Sequence, residues 1–121
     1  LNVTAAWWDN SWHVTVGARP LRATLLQGEA CGLTSEQPSE DELRALAASV
    51  RELSYGTNMW GSADYRRRIS APLAVQAARR AAGIELSAAL ARELETVQIP
   101  KFATDEYSCR RVPGVDSSEV R

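Results

Sequence analysis

Residues 1–18, LNVTAAWWDNSWHVTVGA, place an apolar side chain at every second position on either side of a central Asp-Asn-Ser. The alternating apolar positions are Val3, Ala5, Trp7, Trp12, Val14 and Val16. A period of two is typical of a β-strand with one buried face, and Asp, Asn and Ser are turn residues, so the stretch predicts a β-hairpin. Trp7 and Trp12 fall near the turn on the apolar face, where a cross-strand aromatic pair would fix the register. An isolated hairpin is marginal in water, so further strands or helices must cover it.

Two helical patterns follow the hairpin. The first begins after Pro20 with Leu21, Leu25 and Leu26, and it predicts a short helix that ends near Gly32. The second opens with Ser39, which is followed three residues later by Glu42, the spacing of a capping box. Apolar residues then recur at helical spacing, which predicts a helix through about Leu53.

The C-terminal half is also predicted to be helical. Ser62 is a helix cap and Gly83 a helix stop, and four apolar residues between them share one helix face: Tyr65, Ile69, Leu73 and Ala77. Pro72 interrupts this pattern, which predicts a kink or a break. A last helix is predicted from Glu85 to about Val97. These elements predict an α+β domain over residues 1–99, in which an antiparallel sheet packs against three to four helices, followed by an irregular tail over residues 100–121.

Charge and cysteine content exclude several classes of function. The 121 residues include 14 basic and 15 acidic side chains, a net charge of −1, so we expect no nucleic-acid partner. Two cysteines, Cys31 and Cys109, are too few for a metal cluster or a disulfide framework. No apolar run approaches the roughly 20 residues of a membrane span. We therefore expect a reduced, cytoplasmic protein with no membrane segment and no metal site; because it starts at Leu1 without a Met, we expect a trimmed or cut chain.

Two stretches resemble a known family. Residues 57–68, TNMWGSADYRRR, and more weakly residues 17–23, GARPLRA, resemble the C-terminal domain of the FAD-carrying subunit of molybdenum hydroxylases of the xanthine dehydrogenase and carbon monoxide dehydrogenase type. Trp60 stands where that family usually has Arg, and Pro72 interrupts a helix that is normally continuous. The glycine-rich loops with which the family holds FAD are absent from the sequence.

The resemblance implies the fold and the role of that domain. It would pack against a separate flavin domain and help to shield the isoalloxazine of an FAD-dependent oxidoreductase. FAD would be held mainly by the flavin domain, so no cofactor is expected in this chain alone. The implied partners are the flavin domain, other oxidoreductase subunits or a second copy of the chain.

Candidate ligand or interface residues come from the aromatic and basic positions: Trp7, Trp8, Trp12, His13, Tyr55, Trp60, Tyr65 and Arg66. The tryptophans, together with Tyr55 and Met59, either line a pocket for a flat apolar ligand or form core and interface. His13 lies on the polar face of its strand. It is either a general base, a hydrogen-bond donor to a ligand, or an ordinary surface histidine. Arg66 either binds a carboxylate or phosphate, or it braces the preceding loop or a neighbouring domain while Tyr65 packs inward.

Two other functions remain open at this point. One is a stand-alone domain that binds a small apolar molecule, as a non-redox cyclase or isomerase. The other is a non-catalytic interaction module that pairs another chain with the edge of its hairpin. No catalytic residue is predicted, because no Ser or Cys nucleophile is paired with the single histidine in a known motif.

Overall fold

A computed structural model of the chain describes residues 1–94. The first three elements form an antiparallel sheet in the order β1-β2-β3, with β1 at Asn2–Trp8, β2 at Ser11–Gly17 and β3 at Thr24–Gln27. The predicted hairpin is confirmed. Its two-residue turn places Asp9 and Asn10 at φ 53° and 57°, the left-handed geometry that a type I′ turn requires and that matches the twist of the strands.

The tryptophan pair predicted from the alternation is also confirmed. Trp7 lies directly opposite Trp12, with ring centroids 5.9 Å apart and an interplanar angle of 64°, an edge-to-face contact. Trp12 is fully buried, and Val14 and Val16 follow it on the same covered face of β2. The pair therefore sets the register at the end of the hairpin that lies next to the turn.

The short helix predicted after Pro20 is wrong. Residues Thr24–Gln27 form the third strand, and a single 3₁₀ turn at Gly28–Cys31 follows it. Leu25 and Leu26 point to opposite faces of this strand, and Leu26 packs against the core while Leu25 is exposed. The need to cover the second edge of β2 outweighs a weak local helix pattern.

Three helices occur in residues 1–94: α1 at Glu40–Arg51, α2 at Ala63–Ala82 and α3 at Ala88–Glu93. The predicted capping box at Ser39 is present in full. The predicted stop of α2 is confirmed, because Gly83 takes φ 70°. With the sheet, these helices make a mixed α/β structure of the α+β kind.

Glu42 ties α1 to the loop before it. Its carboxylate accepts backbone N–H bonds from Thr34, Ser35 and Ser39 at 2.6, 3.0 and 2.9 Å, and it also accepts from the Thr34 and Ser35 hydroxyls. Burial alone would raise the pKa of Glu42, but these hydrogen bonds outweigh burial and hold the pKa well below its usual range. The Ser35 carbonyl accepts the indole N–H of Trp12 at 2.7 Å, so the loop is tied to the sheet as well.

The face of α2 was predicted wrongly. Tyr65 and Leu73, on the predicted inner stripe, are exposed, whereas the buried positions are mostly small residues: Arg66, Ser70, Ala71, Pro72, Ala74, Val75 and Ala78. A break at Pro72 is also wrong, because the helix continues through it. Packing of α2 on both β1 and α1 outweighs the one backbone bond that proline removes.

The core lies between one face of the sheet and the helices α1 and α2, and the other face of the sheet is uncovered by residues 1–94. No helix within residues 1–94 is long and apolar enough to cross a membrane. The predicted end of the last helix near Val97 and the predicted tail over residues 100–121 lie outside the described residues.

Candidate functional site

The loop between α1 and α2 ends in a tight turn at Asn58–Gly61. The backbone N–H of Asn58 donates to the Gly61 carbonyl at 3.0 Å, and the N–H of Gly61 donates back to the Asn58 carbonyl at 3.2 Å. The Asn58 side-chain oxygen also accepts the N–H of Trp60 at 3.0 Å. Next to the turn, the Thr57 hydroxyl accepts the first N–H of α2, from Ala63, at 2.8 Å. The turn is thus fixed to itself and to the start of the helix.

Arg66 holds this turn from beneath. Its side chain is only 7% exposed. Nη1 donates to the carbonyls of Gly56 and Gly61, both at 2.7 Å, and Nη2 donates to the Asn58 side-chain oxygen at 2.8 Å. The arrangement agrees with the interpretation in which Arg66 braces the preceding loop, although Tyr65 points outward and not inward as that interpretation had it.

A second buried arginine holds the start of the same loop. Arg19 donates to the carbonyls of Ser54 and Arg22 and to the hydroxyl of Thr24. Its own carbonyl accepts the N–H of Gly56 at 2.6 Å. The GARP stretch therefore has a physical role, but the pattern did not mark Arg19 as a site residue, because its loop partner, the Ser54 carbonyl, lies 35 positions away.

Both buried guanidinium groups are bonded to neutral oxygen atoms. Within residues 1–94 neither Arg19 nor Arg66 forms a salt bridge, whereas the nearby Arg67 lies 3.9 Å from the carboxylate of Asp64. A buried cation is costly unless an opposite charge lies close, since carbonyl dipoles compensate it only in part. The loop therefore covers two buried cations whose hydrogen-bond partners are all neutral oxygen atoms.

The turn exposes two large apolar side chains. Met59 is 86% exposed and Trp60 83%, the highest values among the large apolar residues of the described part of the chain. Tyr65, 56% exposed, lies beside Gly61, the last residue of the turn, because a Cβ placed on Gly61 would lie 3.8 Å from its Cδ1. We call Met59, Trp60 and Tyr65 the Met59–Trp60 surface. At about 200 Å² for each side chain, the three residues together expose roughly 450 Å².

The four tryptophans do not line one pocket. Trp7 and Trp12 belong to the core side of the hairpin, while Trp8 lies on the uncovered face of the sheet and is 59% exposed. Trp60 belongs to the other end of the domain. Trp8 pairs with Ser11 at the start of β2, whereas the loop that carries Trp60 bonds to the carbonyl of Arg19 beyond the end of β2. A strand of this length separates the two ends by about 20 Å.

Tyr55 is part of the core. Its hydroxyl donates to the carbonyl of Val50 at 2.6 Å, and the guanidinium carbon of Arg67 lies 5.6 Å from its ring centroid. The side chain is buried. It fixes the loop to the end of α1 and is closed to a ligand.

His13 stacks on Trp8, with ring centroids 4.6 Å apart and an interplanar angle of 19°. Its Nδ1 is buried and has no hydrogen-bond partner in residues 1–94. Cys31 is buried, donates to the Gly28 carbonyl at 3.0 Å, and burial raises the pKa of its thiol. Neither residue is paired as a base or a nucleophile is in covalent catalysis.

Within residues 1–94 no three side chains of His, Cys, Asp or Glu come together as metal ligands would. Comparisons of the chain with protein-family models, with curated proteins and with solved structures gave no match. Within residues 1–94, the turn at Asn58–Gly61, with its exposed side chains and the two buried arginines beside it, is therefore the candidate functional site.

Proposed function

We propose that this chain is the C-terminal domain of the FAD-carrying subunit of a molybdenum hydroxylase type oxidoreductase, and that it packs on the flavin domain and shields the flavin. The observation that carries the proposal is that the family-like string, residues 57–68, folds as one unit. It supplies the turn, the helix cap at Ser62 and the brace at Arg66. The order of a three-stranded antiparallel sheet followed by helices supports it.

In this role the chain contributes shape and exclusion of water, and no reactive group. FAD supplies the electron transfer, and the flavin domain holds its pyrophosphate. The residues of this chain bind a neighbouring protein surface through the Met59–Trp60 surface, and Arg66 keeps that surface in one conformation. Exclusion of water strengthens the electrostatic interactions around a buried cofactor.

The test is the flavin content of the natural protein or complex that contains the chain. We expect one FAD for each copy of the chain in the purified natural protein, and none in the purified 121-residue chain, which should be colourless. A natural protein with no flavin contradicts the proposal. So does stoichiometric FAD bound by the 121-residue chain itself.

A second candidate function, an interaction module, is favoured by the outer edge of β1, which pairs with no other strand within residues 1–94. In a two-residue hairpin the residues that flank the turn, Trp8 and Ser11, form a hydrogen-bonded pair. The N–H and C=O groups of Val3, Ala5 and Trp7 therefore point away from β2. The strand has no charged residue, no proline and no bulge, the devices that usually protect a sheet edge.

This candidate predicts self-association or strand capture that depends on the β1 edge. Ala5→Pro removes an outward N–H and leaves the bonds to β2 in place. We expect the variant to reduce any concentration-dependent association measured by light scattering during gel filtration. A wild-type chain that is monomeric at all concentrations and captures no strand counts against the module. The small-ligand alternative, a cyclase or isomerase, lacks the shared tryptophan pocket on which it depended.

A further inference from the structure

The outer edge of β1 is complementary to itself. The outward N–H and C=O groups belong to Val3, Ala5 and Trp7, which are evenly spaced about Ala5, the middle residue of the strand. A two-fold axis beside Ala5 would place Val3 opposite Trp7 of a second copy and Ala5 opposite its own equivalent. Each of these antiparallel pairs exchanges two backbone hydrogen bonds, so every outward group of the three residues gains a partner.

Other registers between two copies of β1 satisfy fewer backbone groups. A shift by two residues leaves Val3 or Trp7 of each copy without a partner within the strand. A shift by one residue places the apolar inner face of one copy against the outer face of the other. The register centred on Ala5 is therefore the expected one.

The side chains of β1 suit this register. On the inner face, Val3 meets the aromatic ring of Trp7 of the other copy, and the small side chain of Ala5 leaves room at the axis. Pairs of an aromatic and a β-branched residue directly opposite each other stabilise a sheet. The strand has no charged residue, so no like charges meet along it.

The helices leave apolar surface of β1 for a second copy to cover. All three inner-face apolar residues of β2 are fully buried, whereas Val3, Ala5 and Trp7 on the same face of β1 are only partly buried within residues 1–94. The helix that packs on β1 is α2, which carries five arginines and one aspartate. Repulsion between the two copies of α2 opposes the contact and is screened over about 8 Å at physiological salt.

We infer that two copies of the chain pair through β1 in the register centred on Ala5 and form one continuous six-stranded sheet, an inference that rests on the second candidate function. The partner of the β1 edge is thus a second copy of this chain. Pairing removes the exposed β1 edge of both copies.

The first experiment measures the mass of the 121-residue chain in solution. Contacts of this limited size are usually weak, so sedimentation equilibrium is followed up to about 1 mM protein at about 0.15 M salt. We expect the weight-average mass to rise with concentration from 13.2 kDa toward twice that value, and Ala5→Pro to abolish the rise. A wild-type chain that stays monomeric overturns the inference, even where its β1 edge binds a labelled extended peptide and the second candidate function survives.

The second experiment tests the register by disulfide formation. In the inferred register, Thr4 of one copy lies opposite Ala6 of the other on the exposed face of the sheet, with about 4.5 Å between their Cα atoms. A disulfide spans that distance. Two Thr4 residues, or two Ala6 residues, are diagonal neighbours at about 7–8 Å, where a disulfide is strained. Thr4→Cys and Ala6→Cys are therefore made separately, each with Cys109→Ser, and oxidised alone or mixed.

We expect the mixture to form the Thr4→Cys to Ala6→Cys disulfide at least about tenfold faster than either variant links to itself. Gln27→Cys, an exposed position on β3, gives the rate of random collision. Faster linking of Thr4→Cys or of Ala6→Cys to itself indicates a shifted register and overturns the inference, and so does linking at the rate of Gln27→Cys. None of these results depends on flavin, so failure of this inference is separate from failure of the first proposed function.

Discussion

Replacement of Arg66 tests whether a buried cation holds the loop before α2. Its guanidinium makes three hydrogen bonds, to Gly56, Gly61 and Asn58, at 2.7, 2.7 and 2.8 Å. Hydrogen bonds from a charged donor contribute about 1.5–3 kcal/mol each. The cost of burying the cation without a carboxylate is several kcal/mol and offsets much of their sum. We therefore expect Arg66→Ala to lower the free energy of unfolding by about 3 kcal/mol.

Arg66→Lys should fall between the wild type and Arg66→Ala. One ammonium nitrogen cannot occupy the positions of both Nη1 and Nη2, so it loses at least the bond to Asn58, a loss of about 1.5–2 kcal/mol. Urea unfolding followed by tryptophan fluorescence measures both variants, and Arg80→Ala on the exposed face of α2 is the control, with an expected change below about 0.5 kcal/mol. If the free energy of unfolding of Arg66→Ala lies within about 0.5 kcal/mol of the wild-type value, the bracing role is refuted.

Three further predictions concern the fold that supports the loop. Glu42→Gln should lower the free energy of unfolding by about 1–2 kcal/mol near neutral pH. Because the pKa of Glu42 is lowered in the folded protein, its carboxylate stabilises the fold fully above the ordinary glutamate pKa of about 4.3. In urea titrations, the difference in free energy of unfolding between the variant and the wild type should therefore shrink as the pH falls below that value. Trp12→Phe should lose about 2–3 kcal/mol in the same assay, because it removes both volume from a fully buried site and an indole hydrogen bond. Gly32→Ala should lower the melting temperature more than Gly83→Ala does: both glycines have positive φ, but only at Gly32 would the new Cβ lie 2.6 Å from the Cβ of Ala45. Equal losses at the two glycines would contradict the steric argument.

Local signals were sufficient for the hairpin and for the helix ends. Strict alternation and a two-residue turn determine which strand residues face inward, and the alternation around Trp12 places that residue in the core as observed. Ser39, Ser62 and Gly83 act through hydrogen bonds or dihedral angles within a few residues, so their roles can be derived from spacing.

The predictions that the structure contradicts concern residues whose structure depends on contacts far apart in the sequence. Leu25 and Leu26 follow Leu21 at the spacing of a helix, but their segment forms a strand because β2 has a second edge to pair with. The role of Arg19 depends on carbonyls in a loop far along the chain, so no motif near Arg19 could have shown it. For the same reason, sequence reasoning grouped tryptophans that the fold places at opposite ends of β2.

The inverted face of α2 has a physical reason that bears on function. Ala71, Ala74 and Ala78 let the helix approach β1 and α1 closely, which larger side chains would prevent. Tyr65, which belongs to the Met59–Trp60 surface, and Leu73, eight residues further along α2, are left exposed. A stability argument alone favours the opposite placement, since large apolar side chains gain most from burial. The small side chains of α2 therefore decide which face of the helix is buried, and the proposed contact with a second protein predicts that the contact reaches from the turn to Tyr65 in the first turn of α2.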